Sequence, residues 1–248
     1  MDNRLDLQHG LAGEAASVRP MPPAREFQPV ISMSINARAD AFQLNREIGP
    51  LVGKLRNAMA RGGGVVVHLT SAERGDGVST IAREFAVAAA AIPFCRVLLL
   101  SCIEMDDERA AAFGPPLPDL ISSYLRRGEG EVASIAVGSA IFHASALRPS
   151  FEPRGGPDPS RTIEELYAGL RRAYDLLIVD CPPILEAPYL VRLAQETPEV
   201  LLVVEAEKTR IQAVIRAKDE IALAGGRLAG VVLNKRREYL PGFLQRRL

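Results

Sequence analysis

Short apolar runs that alternate with helical patterns organise most of this sequence. Near-continuous stretches of Val, Leu and Ile are typical of parallel strands that are covered on both faces. Such stretches occur at residues 65–69, 95–101, 175–180, 200–204 and 229–234. Apolar residues recur at helical spacing between them, at residues 79–91, 119–125, 162–173 and 209–224. Because strand and helix alternate, we predict an α/β fold with a three-layer, doubly wound and mostly parallel sheet.

Weaker patterns flank this core and interrupt it. Residues 1–38 are polar and broken by four prolines, which predicts a disordered N-terminal lead. The folded domain is predicted over residues 39–235, with a helical stripe at its start. Within the poorly patterned residues 128–157 we expect one strand, at 140–147. Residues 236–248 form a tail of basic and bulky apolar residues, which could lie on an anionic bilayer or dock on a membrane partner.

Local signals predict where two of the helices begin and where one ends. Thr162 precedes Glu165 by three residues and Thr209 precedes Gln212 in the same way, and both patterns are typical of a capping box at a helix start. Gly225 follows the second of these helices and is expected to close it.

The junction between the first apolar strand and its helix has the form of a phosphate-binding loop. Gly75 and Gly77 let the backbone approach a phosphate, and Ser79 stands where a hydroxyl would hold Mg²⁺. The motif G-x-x-x-x-G-K-[ST] requires a lysine after its last glycine, but Val78 occupies that position, and Ala72 replaces the first glycine. The nucleotide-binding residues are predicted to be Gly75, Asp76, Gly77, Val78, Ser79, Thr80 and Asn234.

Two polar residues follow other strands of the predicted sheet. Ligands of parallel sheets bind beyond the carboxyl ends of the strands, where Asp180 and Asn234 stand. We predict that Asp180 is the catalytic carboxylate and holds Mg²⁺ together with Ser79. The amide of Asn234 could read an adenine edge. Each feature alone is also typical of a glycine turn, a strand-end cap or a loop asparagine, but their order along the chain favours a site for ATP and Mg²⁺.

The composition argues against several other classes of protein. Thirty basic residues balance thirty acidic ones, so no net field points to a nucleic-acid partner. Cys95, Cys102 and Cys181 form no C-x-x-C pair and no metal-site spacing, which favours reduced thiols in a cytoplasmic protein. No signal peptide is expected, and no apolar run approaches the ~20 residues that span a bilayer. Any membrane role is therefore expected to come through a partner or a peripheral surface.

Four segments carry a recurrent set of motifs. Residues 69–80 resemble the loop T-S-A-x-x-G-E-G-K-S-T, and residues 174–183 resemble Y-D-x-x-I-I-D-T-P-P. Residues 207–210 are similar to G-K-T-x, with Glu207 in place of the glycine, and residues 226–234 are similar to G-x-x-x-G-V-V-L-N. In this order the motifs resemble those of bacterial tyrosine kinases, cytoplasmic proteins of capsule and exopolysaccharide synthesis in the MinD/ParA-like branch of P-loop ATPases. The resemblance implies a P-loop NTPase fold that uses ATP and Mg²⁺.

The chain departs from this family where the family places its charges. Val78 replaces the lysine that neutralises phosphate charge, and Ser101 and Ile103 stand where the family has the two carboxylates of a D-x-D motif. Phosphoryl transfer depends almost entirely on positioned positive charge and metal. Arg74 and Glu104 are the candidates for compensation, but their spacing does not show it. These departures predict that efficient kinase activity is lost.

Two further family features are reduced. The family's tails carry a cluster of tyrosines that are phosphorylated, whereas this tail carries Tyr239 alone. The family's E-x-x-R-x-x-R motif, which is linked to ring assembly, would fall at Pro50, Gly53 and Arg56, so only the arginine remains. The resemblance still implies a homo-oligomer, although assembly by that motif is not expected.

The leading hypothesis is a degenerate tyrosine-kinase-like protein of exopolysaccharide or capsule synthesis. It would act as a regulatory or scaffold partner of a membrane chain-length co-polymerase, in the cytoplasm and at the inner face of the membrane. One alternative is an active ATP-dependent tyrosine autokinase whose missing charges come from a partner chain. Another alternative is a MinD/ParA-like positioning ATPase, which usually needs a signature lysine early in the loop, where this chain has Glu73 and Arg74.

Overall fold

A computed structural model describes residues 28–34, 64–102, 117–127, 130–148, 159–188 and 199–235. The strands are β1 (Gln28–Ser34), β2 (Val65–Ser71), β3 (Val97–Ser101), β4 (Glu131–Val137), β5 (Ala140–Ala146), β6 (Leu176–Asp180), β7 (Glu199–Glu205) and β8 (Arg227–Asn234). The helices are α1 (Val78–Ala90), α2 (Leu120–Arg127), α3 (Pro159–Ala173) and α4 (Ile211–Leu223).

The strands form one eight-stranded sheet in the order β1-β4-β5-β3-β6-β2-β7-β8. Strands β4 and β5 pair in the antiparallel sense, and every other neighbouring pair in this sheet is parallel. The predicted α/β architecture with a mostly parallel sheet is therefore confirmed.

Helices cover both faces of the sheet, which explains the near-continuous apolar strands. Helix α1 packs on one face through residues such as Ile81 and Phe85, against alternate residues of the central strands. Helix α3 packs on the opposite face with Leu166 and Leu170, and α4 packs farther along that face. All five residues of β6 are buried, since successive side chains point into the two different cores.

The carboxyl ends of the central strands meet at one edge of the sheet. Strand β2 lies between β6 and β7, and β6 also pairs with β3, so that Asp180 is the register partner of both Leu69 and Ser101. On the other side, Glu205 at the end of β7 is the partner of Asn234 at the end of β8. The loop after β2 and the residues predicted to bind ligand therefore share this edge.

A histidine lies in the centre of this sheet. His68 of β2 is fully buried, and neither of its ring nitrogens has a hydrogen-bond partner in the described structure. Its register partners on the two neighbouring strands are Val179 and Val200, which are also buried. Burial lowers the pKa of His68 to about 4. The side chain is therefore neutral in the folded protein near pH 7.

The expectation of a disordered lead over residues 1–38 is wrong for Gln28–Ser34. This segment is strand β1, which pairs in parallel with β4 at the edge of the sheet. Proline has no backbone N–H group to donate within a sheet. An edge strand tolerates Pro29 because one of its sides has no neighbouring strand that needs this donor. The register shifts between Pro29 and Ile31, as is typical of a bulge. The other residues of the predicted lead lie outside the described part.

Residues 128–157 contain two strands where one was predicted. The strand expected at 140–147 is β5, and β4 precedes it as the other arm of a hairpin. Gly138 in the connecting turn has a φ of 60°, a conformation that favours glycine. Small residues in the segment E-V-A-S-I-A-V weaken the apolar pattern of β4, which is why the sequence did not reveal it.

Both predicted capping boxes are wrong as helix starts. Helix α3 begins at Pro159, three residues before Thr162, and proline is favoured at the first position of a helix. Helix α4 begins at Ile211 after Arg210, which makes no side-chain capping bond. The predicted end of α4 is confirmed, since Gly225 has a φ of 82° and follows the last turn.

Helix α4 packs through smaller residues than its apolar spacing suggested. Ala213, Ala217 and Ile221 are buried, whereas Ile211 and Ile215 are 69% and 52% exposed. The helical stripe predicted at the start of the domain and the tail predicted at 236–248 lie outside the described residues. Among the helices that are described, none has the length and apolar character needed to cross a bilayer.

Candidate functional site

The loop between β2 and α1 turns through two glycines with positive φ. Gly75 has a φ of 89°, and Gly77, which directly precedes α1, has a φ of 92°. A β-carbon on Gly77 would lie 2.1 Å from Nδ2 of Asn234, so this position accepts no side chain. The first backbone N–H groups of α1 have no partner within the helix and point toward the loop. This arrangement is the one that binds phosphate in P-loop proteins.

Asp76 holds the loop in this shape from inside. Its side chain is buried, and its two oxygens accept hydrogen bonds from different elements. Oδ2 accepts from the backbone N–H of Glu73 at 3.2 Å, and Oδ1 accepts from the hydroxyl of Thr209 at 2.7 Å. The hydroxyl of Thr209 also accepts from the N–H of Glu205 at 3.2 Å. Thr209, which the sequence suggested as a helix cap, therefore links the loop to the end of β7.

Asn234 braces the same loop from the end of β8. Its Nδ2 donates to the carbonyl of Asp76 at 2.8 Å, and its Oδ1 accepts from the backbone N–H of Lys235 at 2.9 Å. These bonds use the side-chain amide for the protein's own backbone. The reading of an adenine edge by Asn234 stays a prediction.

A cavity of about 370 Å³ opens beside the loop. Gly75, Gly77, Val78, Ser79 and Thr80 line it, as do Asp180 and the two prolines that follow it. Its far end is apolar and is lined by Leu99, Leu117, Ile135, Phe142 and Ala144. Most of the predicted site residues therefore share one cavity, whereas Asp76 and Asn234 stand behind its wall as supports for the loop.

Asp180 is a buried carboxyl group with an open coordination position. It is 5% exposed, a hydrogen bond joins its side chain to Ser79, and its Oδ1 has no hydrogen-bond partner in the part of the chain described. Burial raises the pKa of Asp180 to about 7, although the bond from Ser79 acts in the opposite direction. A hydroxyl and a carboxylate together are ligands that suit Mg²⁺. The predicted pair of Ser79 and Asp180 is thus brought together and fits such an ion.

Positions 78 and 101 supply no charge to this cavity, although Arg74, Arg83 and Lys235 also line it. Val78 is 7% exposed and belongs to the apolar core under α1. Ser101 lies beside Asp180 in register and lines the cavity, so a hydroxyl stands where the resemblance places a carboxylate. Asp180 supplies the one carboxyl group among the described lining residues. No group of three His, Cys, Asp or Glu side chains able to hold a metal occurs in the described residues.

Of the two charged residues suggested as compensation, only Arg74 lies in the described part of the chain. The guanidinium of Arg74 donates to both carboxylate oxygens of Glu186, at 2.8 and 2.6 Å. Both side chains are exposed, and Arg74 lines the cavity. This ion pair raises the pKa of Arg74 further. Glu104 lies outside the described residues.

Sequence reasoning missed Lys235, which lies at the cavity. Its ammonium group donates to the carbonyl of Gly75 at 2.9 Å and to Oε2 of Glu205 at 3.0 Å. Together with Lys208, it lowers the pKa of Glu205. The position of Lys235 directly after the last predicted strand, at the same sheet edge as the loop, was the signal available in the sequence.

Comparison with known proteins agrees with the motifs. No family model matches the chain. Over 173 residues it is 29% identical to the tyrosine-protein kinase YwqD of Bacillus subtilis, covering 68% of this chain and 71% of that protein. Over 84 residues it is 33% identical to a putative tyrosine-protein kinase, CapB, of Staphylococcus aureus. That match covers 32% of this chain and 37% of the length of CapB.

The fold is similar to that of a solved tyrosine-kinase domain. The kinase domain of the Escherichia coli tyrosine kinase ETK superposes with a TM-score of 0.60 at 18% identity, covering 88% of this chain and 95% of that domain. In sequence the chain is similar to bacterial tyrosine-protein kinases, and in fold it is similar to the kinase domain of ETK.

Proposed function

We propose that this protein is a degenerate tyrosine-kinase-like P-loop protein of exopolysaccharide or capsule synthesis. It acts as a regulatory or scaffold partner of a membrane chain-length co-polymerase and does not phosphorylate tyrosine efficiently. The observation that carries this proposal is the cavity beside the loop, which keeps the backbone shape of a phosphate site but has Val78 and Ser101 in place of charged groups.

The physical reason lies in what phosphoryl transfer requires. The transferred group spreads negative charge over its oxygens, so the rate depends on cations held in position. Losing one such oriented charge typically costs about 2.7–4 kcal/mol, or ~10²–10³ in rate. Here the lysine at position 78 and a carboxylate at position 101 are replaced together.

Mg²⁺ binding would be weakened by the same arrangement. Ser79 and Asp180 would hold the ion, which supplies positive charge to the phosphates when it is bound. Because the pKa of Asp180 is raised to about 7, much of this carboxyl group is protonated near neutrality and must release its proton first. At pH 7 this proton lowers the apparent affinity for Mg²⁺ by only about 2-fold, so it adds little to the losses at positions 78 and 101.

Incubation of the purified chain with labelled ATP and Mg²⁺ tests this proposal. We expect no incorporation of label into the protein above the level of the Asp180→Ala variant. Incorporation by the wild type that Asp180→Ala abolishes would overturn the proposal and favour an active autokinase. The autokinase is the second candidate because Ser79, Asp180 and the Lys235 ammonium remain at the loop.

The proposed partnership has its own test. The protein would lie in the cytoplasm and reach the inner face of the membrane through the co-polymerase. On co-expression with the co-polymerase of the same polysaccharide system, we expect it to sediment with the membrane fraction. Without the co-polymerase it should stay in the supernatant, and an equal distribution in both cases would contradict the partnership.

A further inference from the structure

Lys235 places a positive charge at the loop from a distant part of the chain. Its ammonium group is 2.9 Å from the carbonyl oxygen of Gly75, and its side chain is half exposed and lines the cavity. The residues in contact are 160 positions apart in the sequence. A cation therefore lies at the loop although Val78 supplies none.

The backbone of Lys235 is held in a conformation that a lysine rarely adopts. Its φ is 57°, in the left-handed region that favours glycine. Oδ1 of Asn234 accepts its N–H at 2.9 Å, and the ammonium group is bound at the other end of the side chain. Such a conformation persists when the surroundings determine it, and it is found more often at functional sites than elsewhere.

A second lysine shows what is particular about Lys235. Lys208 binds the same carboxylate oxygen of Glu205, at the same distance of 3.0 Å. Lys208 is 63% exposed and does not belong to the residues that line the cavity. The two lysines share a partner but not a position, because only Lys235 also contacts the loop within the described structure.

The cavity carries further marks of a ligand site. Asp180 lines the cavity and is only 5% exposed. Its Oδ1 has no hydrogen-bond partner in the described residues. An unpartnered buried carboxyl oxygen beside the N-terminus of α1 suits a cation that accompanies a bound phosphate.

We propose that Lys235 supplies the positive charge that Val78 does not, so that the loop still binds a polyphosphate anion with its divalent cation. The anion would be a nucleoside di- or triphosphate or pyrophosphate, bound by the N–H groups of α1 and by the ammonium group of Lys235. The inference rests on the proposed function for the nature of the loop. It adds that the loop still binds its ligand although efficient phosphoryl transfer is lost.

Calorimetric titration of three ligands, each with Mg²⁺, tests this assignment. ADP, ATP and pyrophosphate are titrated into the wild type, Lys235→Met and the control Lys208→Met. We expect Lys235→Met to weaken the binding of at least one ligand by ~10-fold or more, as for the loss of a hydrogen bond to a charged group. Lys208→Met should bind within about 2-fold of the wild type, because Lys208 stands outside the cavity.

A rescue variant keeps the test independent of folding. Val78→Lys combined with Lys235→Met should recover most of the lost affinity, because it returns a cation to the position of the family's lysine. Equal effects of Lys235→Met and Lys208→Met would overturn the assignment, and so would the absence of any binding to the wild type. Binding of pyrophosphate as tight as that of ADP would support it and identify the phosphates as the recognised group.

The outcome of this titration is independent of the outcome of the labelling experiment that tests the proposed function. Phosphate incorporation that depends on Asp180 would remove the proposed function and leave the role of Lys235 intact. A wild type that binds none of the three ligands would remove the role of Lys235 and leave the scaffold intact.

Discussion

Asp180 is a buried carboxyl group whose side chain is hydrogen-bonded to the neutral Ser79. In P-loop proteins a lysine and a metal ion balance the negative groups at this site. Here Val78 is apolar and Asp180 is 5% exposed, so that ionisation of the carboxyl group is opposed by burial. The substitution at position 78 therefore has an energetic consequence for Asp180 as well as for phosphate.

Asp180→Asn should stabilise the protein in the absence of Mg²⁺, increasingly as the pH rises. The folded pKa is raised from 3.8 to about 7, so the native carboxyl group contributes stability below pH 3.8 that is lost as the pH approaches 7. Removing the charge should raise the free energy of unfolding by roughly 1.4 kcal/mol per pH unit over this window, and by about 4 kcal/mol above it. Urea unfolding at pH 5 and pH 8 measures the difference.

Asp219→Asn is the control for this comparison, since Asp219 lies on the exposed face of α4. Its stability should match that of the wild type at both values of pH. A gain for Asp180→Asn that is no larger at pH 8 than at pH 5 would show that the carboxyl group is not strained by burial.

Individual site residues were predictable to the extent that local motifs define them. Gly75, Gly77, Ser79 and Asp180 follow from a strand, a glycine turn and a strand-end carboxylate, and the structure gathers them at one cavity. Lys235 was not predictable in this way, because its one signal is its position directly after the last predicted strand and it belongs to no local motif. Its role depends on the register of β7 and β8, which sequence patterns do not specify.

At the scale of elements, the phosphate loop is held by parts of the chain that follow it much later. The turn after β7 reaches Asp76 through Thr209, and the end of β8 reaches it through Asn234. These contacts explain why Thr209 does not cap α4: its hydroxyl is used by the loop. The loop is therefore a preorganised part of the sheet edge.

Thr209→Val should destabilise the protein by about 1.5–3 kcal/mol, the usual range for a lost hydrogen bond to a charged group. The substitution keeps the shape of the side chain but leaves Oδ1 of the buried Asp76 without its donor. Thr209→Ser keeps the hydroxyl and is the matched control. Equal stability of the two variants in urea unfolding would contradict a role for this bond.

Some strands were easier to predict from the sequence than others. Strand β6 was predictable because both of its faces are buried and every position is apolar up to Asp180. Strand β4 was not, since its alternation is carried by small residues. The edge position that allows Pro29 within β1 is likewise a property of the assembled sheet.

At the scale of the whole molecule, His68 makes the free energy of unfolding depend on pH. Its pKa falls from 6.5 in the unfolded chain to about 4 in the folded protein, so the unfolded chain binds a proton first as the pH falls. The contribution of His68 to stability should therefore decrease by roughly 3 kcal/mol between pH 6.5 and 4, whereas that of Asp180 increases over the same range.

Relative to the wild type, His68→Leu should gain roughly 3 kcal/mol of stability as the pH falls from 6.5 to 4, because a leucine has no proton to bind and leaves no unpartnered nitrogen in the core. The measurement is the midpoint of urea unfolding of both proteins at intervals between pH 4 and pH 7. A difference between the two proteins that does not change with pH would exclude His68 as the cause.

The bonds from Asn234 and Lys235 to the loop also bear on the order in which the protein acquires its function. They join residues that are 158 and 160 positions apart, and β8 is the last described strand to leave the ribosome. Contacts of such separation form late in folding, because a long stretch of chain must first be closed. A nascent chain that lacks β8 would have a loop but no finished binding site. The proposed ligand binding at this loop is thus expected only of a chain that has completed β8.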